Sequence, residues 1–279
     1  MTARALAELK SPLALPNRTI NAYRQNGHVL VRNVVSTETV ENLRPAVLET
    51  GARARFDHRP LEERDTYGKA FVQMMNLWTL DPRIEPFVLA HRFAHVAAQL
   101  LGVDAVRLYH DQALFKEPGG GITPWHQDQF YWPLDTDDTI TLWLPLVPVE
   151  ANMGPMTFAS GSHHGGNLGE FAIGDASHTA FQSLIEKNNW PLSTDQNLRP
   201  GDASFHAGWT LHRASPNHSP RLREAFTIIY FAEGSRVGPL DHPAKRLDRD
   251  LWLSGCQAGR PAAGPLNPLL GAPQGEKRL

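Results

Sequence analysis

His126 and Asp128 stand two positions apart in the stretch TPWHQDQFYW, residues 123–132, a spacing that lets an imidazole and a carboxylate reach one metal ion. The pair alone decides nothing, because a chain with 13 histidines produces a His-x-Asp by chance. A third ligand must come from further along. The segment GDASFHAGWTLHRASPNHSPRLREAFTIIY offers His206, His212 and His218. On one regular strand His206 and His212 share a face, being an even number apart, and both stay candidates on local sequence. A turn at Asn217–Pro220 then leads into REAFTIIYFA and predicts Arg223 on a strand neighbouring His212. Two imidazoles and one carboxylate leave coordination positions open, which suits non-heme Fe(II), although zinc tolerates the same ligands. The arginine favours iron. Its guanidinium fork holds a carboxylate through two parallel hydrogen bonds, as a dicarboxylate co-substrate such as 2-oxoglutarate requires.

Such groups need a rigid frame. Residues 20–54 predict helix, strand and helix, with Gly27 ending the first helix and Ser36 capping the second. Residues 84–101 carry apolar side chains at helical spacing up to Gly102. From 105 onward short β-rich runs follow one another, AVRLYHDQALFKE, TITLWLPLVPV, MTFASGS, ASFHAGWTLHRA and REAFTIIYFA, divided by Gly, Pro, Asp and Asn. Helices followed by many short strands predict a mainly β fold, a jelly roll with helices packed outside. The segment 165–199 interrupts the strands with a helix near 178–188 and is expected to cover one mouth. We expect one domain over 1–279: helical support to about 104, the jelly-roll core over about 105–235, and irregular packing in the Gly- and Pro-rich last forty residues.

Composition narrows the function. A net charge of −2 offers no basic field for nucleic acid, and no apolar run is long enough to span a membrane. The single Cys256 excludes an intramolecular disulfide and a thiolate cluster. A cytoplasmic protein acting on a small molecule is the expectation, with no nucleic-acid or membrane partner.

In order and spacing, His126-x-Asp128, His212 and Arg223, with the flanking TPWHQD, WLPL, GPMTFASGSH and GDASFH, resemble the phytanoyl-CoA dioxygenase family of Fe(II)/2-oxoglutarate oxygenases. The opening YRQNGHVLVRNVVS is similar to the start of that family, so the likeness covers most of the chain. It implies a double-stranded β-helix, the jelly roll of cupin-like proteins. It implies that His126, Asp128 and His212 bind iron and that Arg223 binds the distal carboxylate of 2-oxoglutarate. Trp143 and Thr123 fall where the family lines and holds the co-substrate, and Lys116 where it often has a lysine. Ala214 departs from the pattern, since a hydroxyl residue often stands two positions after the last histidine. Asp128 argues against halogenation, because related halogenases have Ala or Gly there. The implied reaction consumes 2-oxoglutarate and O2, releases succinate and CO2, and ends in hydroxylation, desaturation, cyclisation or epimerisation.

The resemblance favours His212 over His206, which is left as a buried histidine paired to a carbonyl. His163 and His164 are expected to shape a turn, and His110 and Asp111, adjacent on a strand, cannot chelate together. Trp132 is a candidate for the substrate pocket. FVQMMNLW at 71–78 reads as core helix, or as a wall offering Gln73, Met74, Asn76 and Trp78. Scattered arginines at 53, 55, 59 and 64 form no strong basic cluster for a CoA thioester. Seven tryptophans fit a flat or polycyclic substrate better. With an arginine-rich composition typical of GC-rich bacteria, this points to natural-product tailoring and antibiotic biosynthesis. A metal-dependent isomerase or hydrolase on a cupin-like barrel would use the same ligands but gives Arg223 no task.

Overall fold

The computed structural model describes every residue except Phe56 and 272–279. The helices are α1 (Ala3–Lys10), α2 (Asn17–Asn26), α3 (Thr37–Ala54), α4 (Thr66–Ala70), α5 (Glu85–Val88), α6 (His91–Leu101), α7 (Asp175–Asn188) and α8 (Pro243–Trp252). The strands are β1 (His28–Val31), β2 (Val72–Met75), β3 (Val106–Lys116), β4 (Thr123–His126), β5 (Thr139–Pro145) and β6 (Met156–Ala159), then β7 (Leu192–Thr194), β8 (Ala203–Ala207), β9 (His212–Ala214), β10 (Arg223–Ala232) and β11 (Leu269–Leu270). A larger sheet runs β1-β8-β5-β10-β3-β11, with β2 also on β3, and a smaller one runs β4-β9-β6-β7. The pairs are antiparallel.

The N-terminal reading holds. Gly27 takes φ 76°, a left-handed turn that ends α2 and that a side chain resists. Ser36 caps α3 by accepting the Thr39 N–H. The helix expected over 84–101 is divided, however. Ala90 is extended, so α5 ends and α6 begins anew. In the C-terminal stretch, read as irregular, α8 is a helix of ten residues with Pro243 in its first turn. The part of that stretch from 272 lies outside the described residues.

Period-two alternation decides which side chains see the site. Along β10, Phe226, Ile228 and Tyr230 pack with Leu43 and Val47 of α3 and Phe93 and Val96 of α6 in the main core. Arg223, Thr227 and Ile229 face the other way, into a cavity. On β5, Leu142 and Leu144 join the core while Thr141 and Trp143 face the cavity. β3 would follow the same rule throughout but for a bulge. Ile229 pairs with His110 and Tyr230 with Leu108, leaving Tyr109 as the extra residue. Val106 and Leu108 therefore point to the core, whereas His110, Gln112 and Leu114 reach the cavity despite the same parity.

Three sequence expectations fail here. ASFHAGWTLHRA is two strands rather than one: β8 lies in the larger sheet, and the chain crosses through Gly208–Leu211 to β9 in the smaller. Arg223 consequently sits on the sheet opposite β9 and not on its neighbour. Residues 71–78 form β2 and a 3-10 turn, not a helix, because β2 finds a pairing edge on β3.

Candidate active site

His126 ends β4 and pairs in register with His212 at the start of β9, so both imidazoles leave the small sheet side by side with ring centroids 4.1 Å apart. Each ring is set by its own backbone. His126 Nδ1 lies 2.8 Å from the Pro124 carbonyl, and His212 Nδ1 lies 3.0 Å from that of Thr210. Donation to those carbonyls fixes the tautomer and turns both Nε2 lone pairs forward. Asp128 follows β4 in a 3-10 turn, with Oδ1 3.4 Å from His126 Nε2 and 3.7 Å from His212 Nε2. One ligand atom from each of the three lies within 4.8 Å of the others, a grouping that can hold a metal ion.

The carboxylate is itself oriented. Thr141 donates to its Oδ2 at 3.1 Å, and His206 Nε2 stands 3.3 Å from the same oxygen. His206 is thus not bound to a carbonyl as expected. Its Nδ1 has no partner, and it acts on Asp128 from across the two sheets. Burial alone would raise the Asp128 carboxyl, but His212, His126 and His206 hold it well below the usual range. The His212 ring is pushed well below its usual value by burial, with His126 adding to the effect. A neutral His212 imidazole beside an ionised Asp128 carboxylate is the pair of protonation states that metal ligation needs.

Arg223 opens β10 and is 1% exposed. Its Nη1 donates to the Gly154 carbonyl at 3.1 Å and Nη2 to that of Leu114 at 3.4 Å, while Nε has no partner among the described residues. The guanidinium lies 5.4 Å from the Trp143 ring, whose own N–H is unpartnered. Burial lowers the Arg223 pKa to about 10, so it stays charged at neutral pH. Lys116 is also fully buried, bonded to the Gly121 carbonyl and 3.4 Å from Thr123 Oγ1. Burial, then the charge of Arg223, lowers its pKa to about 6. Neither side chain makes an ion pair with a carboxylate among the described residues.

His126, Asp128, His212, Arg223, Trp143 and Thr123 all line one cavity of about 270 Å³. Lys116 does not line it and reaches the site through Thr123. Of the wall candidates, Trp132 and Gln73 are on the cavity, with Gln73 between the Tyr67 hydroxyl and the Gln112 amide, each at 3.0 Å. Met74 is not: strand alternation buries it in the main core, and Met75 takes the cavity side. Asn76 turns left-handed at φ 51° and accepts from the Trp78 indole at 3.3 Å, and Trp78 packs on the core, so neither lines the cavity. The helix expected near 178–188 is α7, which backs β4 through Gln182 and the Trp125 indole, and Ile173 just before it lines the cavity.

Sequence reasoning missed one wall altogether. Leu247, Asp248, Leu251 and Trp252 of α8 line the cavity's outer part. Their signal was present as Leu247 and Leu251 four apart behind Pro243.

A jelly roll that gathers two imidazoles and a carboxylate beside a buried, unpaired arginine defines a class of metal-binding oxygenase-like barrels. The comparisons agree. The profile described as "Phytanoyl-CoA dioxygenase (PhyH)" matches residues 23–225, and the chain belongs to that family. Over 155 residues it is 29% identical to a "Probable alpha-ketoglutarate-dependent hypophosphite dioxygenase" of Stutzerimonas stutzeri, a match spanning 53% of this chain and about half, 52%, of that protein. Among solved structures it is similar to the non-heme alpha ketoglutarate dependent carbocyclase SnoK from nogalamycin biosynthesis. That likeness has TM-score 0.76 and 25% identity, covering 93% of this chain and 99% of SnoK. The epimerase SnoN, in complex with Fe3+, alpha ketoglutarate and nogalamycin RO, shares the fold at TM-score 0.74 and 24% identity, covering 91% and 97%.

Proposed function

We propose that this protein is a non-heme Fe(II)/2-oxoglutarate-dependent oxygenase that oxidises a C–H bond of a small organic molecule in natural-product tailoring. The observation that carries this reading is Arg223, a buried guanidinium aimed into the metal-ligand cavity with no carboxylate among the described residues to neutralise it. A charge left so is costly unless a ligand supplies the counter-ion. A dicarboxylate supplies one, and zinc hydrolysis or isomerisation gives the arginine nothing to hold.

In this reading His126, Asp128 and His212 would hold the iron, and the donor set fits it: two imidazoles and one carboxylate with positions left for co-substrates. Iron, 2-oxoglutarate and O2 supply the oxidising chemistry when bound. The chain's own residues do the rest. Thr141 and His206 keep Asp128 in one orientation. Arg223 would hold the distal carboxylate of 2-oxoglutarate, and Trp143 and Thr123 line the same cavity. Lys116 supports Thr123 from behind. The aromatic walls exclude water and hold the substrate C–H bond at the metal.

Kinship to a carbocyclase and, in fold, to an epimerase supports tailoring of an elaborate molecule. The hypophosphite relative suggests a small oxyanion instead, but beyond Arg223 no arginine or lysine among the described residues lines the cavity. The test is an anaerobic visible spectrum of the protein with Fe(II) and 2-oxoglutarate. A weak charge-transfer band that is absent from Asp128→Ala supports the reading. Metal binding without a band moves the hydrolase or isomerase reading to the front.

A further inference from the structure

The outer half of the cavity carries a second charged group that iron and 2-oxoglutarate leave unused. Asp248 faces the cavity from α8, and its carboxyl accepts a hydrogen bond from the Tyr109 hydroxyl at 2.9 Å. That donor leaves a carboxylate with accepting capacity to spare. Asp248 makes no ion pair among the described residues. Its neighbours on the helix are already committed, Lys245 to Asp241 and Arg249 to Asp250. His110, also on the cavity wall, is held neutral by burial, which lowers its pKa to about 3. Burial likewise pushes Asp248 up to about 7 despite its hydrogen bond, the behaviour of a carboxyl that lacks a cation.

What surrounds Asp248 is aromatic. Tyr67, Phe71, Tyr131, Trp132 and Trp252 line the same cavity. The two tyrosine hydroxyls are engaged elsewhere, Tyr67 donating to Gln73 and Tyr131 accepting the Ile173 N–H, so these residues offer mainly their rings. Ring faces with one carboxylate attract a cation through both the ring quadrupole and the charge. A neutral hydroxyl would gain one hydrogen bond and leave that charge uncompensated.

Resting on the oxygenase reading above, we propose that Asp248 and these rings form a subsite for a protonated amine, so that the substrate is an aromatic-sized molecule bearing a basic nitrogen. The β3 bulge builds the subsite, because it turns Tyr109 towards Asp248 while His110 stays on the cavity wall.

The test uses the full chain loaded anaerobically with Fe(II) and 2-oxoglutarate, titrated calorimetrically with benzylammonium and with benzyl alcohol. The wild-type protein should bind the cation about tenfold or more tightly than the alcohol. Asp248→Asn, which keeps an acceptor for Tyr109, should erase that preference and retain the charge-transfer band of iron and 2-oxoglutarate. Absence of preference in the wild type, including binding of neither probe, overturns the amine subsite. So does a preference that survives in Asp248→Asn. The band is read in the same samples, so failure of the iron and 2-oxoglutarate reading is seen separately from failure of the subsite.

Discussion

Replacing Arg223 by methionine separates two quantities that its burial couples. In the ligand-free protein the guanidinium is desolvated and, among the described residues, donates to two carbonyl oxygens, at 3.1 and 3.4 Å. An apolar side chain of similar length removes an uncompensated charge, so Arg223→Met should be at least as stable as the wild type without ligand. With 2-oxoglutarate the order reverses. Loss of a two-pronged charged pair in an enclosed site costs about 2–4 kcal/mol, which raises Kd from about 30-fold to several hundredfold. At a 2-oxoglutarate concentration one hundred times the wild-type Kd, binding stabilises the wild type by about 2.7 kcal/mol. A variant weakened 30-fold retains about 0.9 kcal/mol of that increment, and a weaker binder less. Thermal unfolding under nitrogen, with Fe(II) and with or without 2-oxoglutarate, reads both effects, and titration of the visible band gives Kd directly. A variant that binds 2-oxoglutarate as tightly as the wild type, or gains the same stability from it, refutes the assignment of Arg223 as the anchor.

Two further outcomes follow from the geometry. Gly154 has φ 75°, and a Cβ there would stand 2.5 Å from the Ser215 carbonyl and 2.8 Å from Lys116 Cδ. Gly154→Ala should cost about 1–3 kcal/mol of stability by chemical denaturation and weaken 2-oxoglutarate binding, because its carbonyl holds Arg223. His28 is buried against Phe158, with its pKa lowered to about 4 by burial and then by His206 and His163. The unfolded state therefore binds this proton more readily, so the contribution of His28 is full above about pH 6.5 and is lost as pH falls towards 4. Denaturation of the wild type across that window should show stability falling on acidification, and His28→Gln should reduce the slope by about one proton.

The chemistry of the site was legible because it depends on residue type and local spacing. His126 and Asp128 leave one strand end together whatever the fold around them, and the eleven residues from His212 to Arg223 span one connection. The strands were legible too, since β10 and β5 are dense in β-branched and aromatic residues. Local spacing was misleading where the partner strand decided the outcome. His206 and His212 looked like neighbours on one strand, yet the chain changes sheets between them, and His206 reaches Asp128 from the opposite side. Met74 looked like a soft wall residue until pairing of β2 with β3 set its parity towards the core.

The sequence by itself determined the residue types of the candidate site, a carboxylate, imidazoles and an arginine, and the mainly β character, because these rest on side-chain chemistry and period-two patterning; the choice of His212 over His206 came from the family resemblance. Only the tertiary structure decided that Lys116 stays behind Thr123, that a bulge at Tyr109 re-aims β3, and that α8 closes the cavity with Asp248. The physical reason is that a cavity wall is set by which faces of distant segments meet. The α8 segment is more than a hundred residues from His126 and Asp128, and nothing in its local pattern says what it will cover.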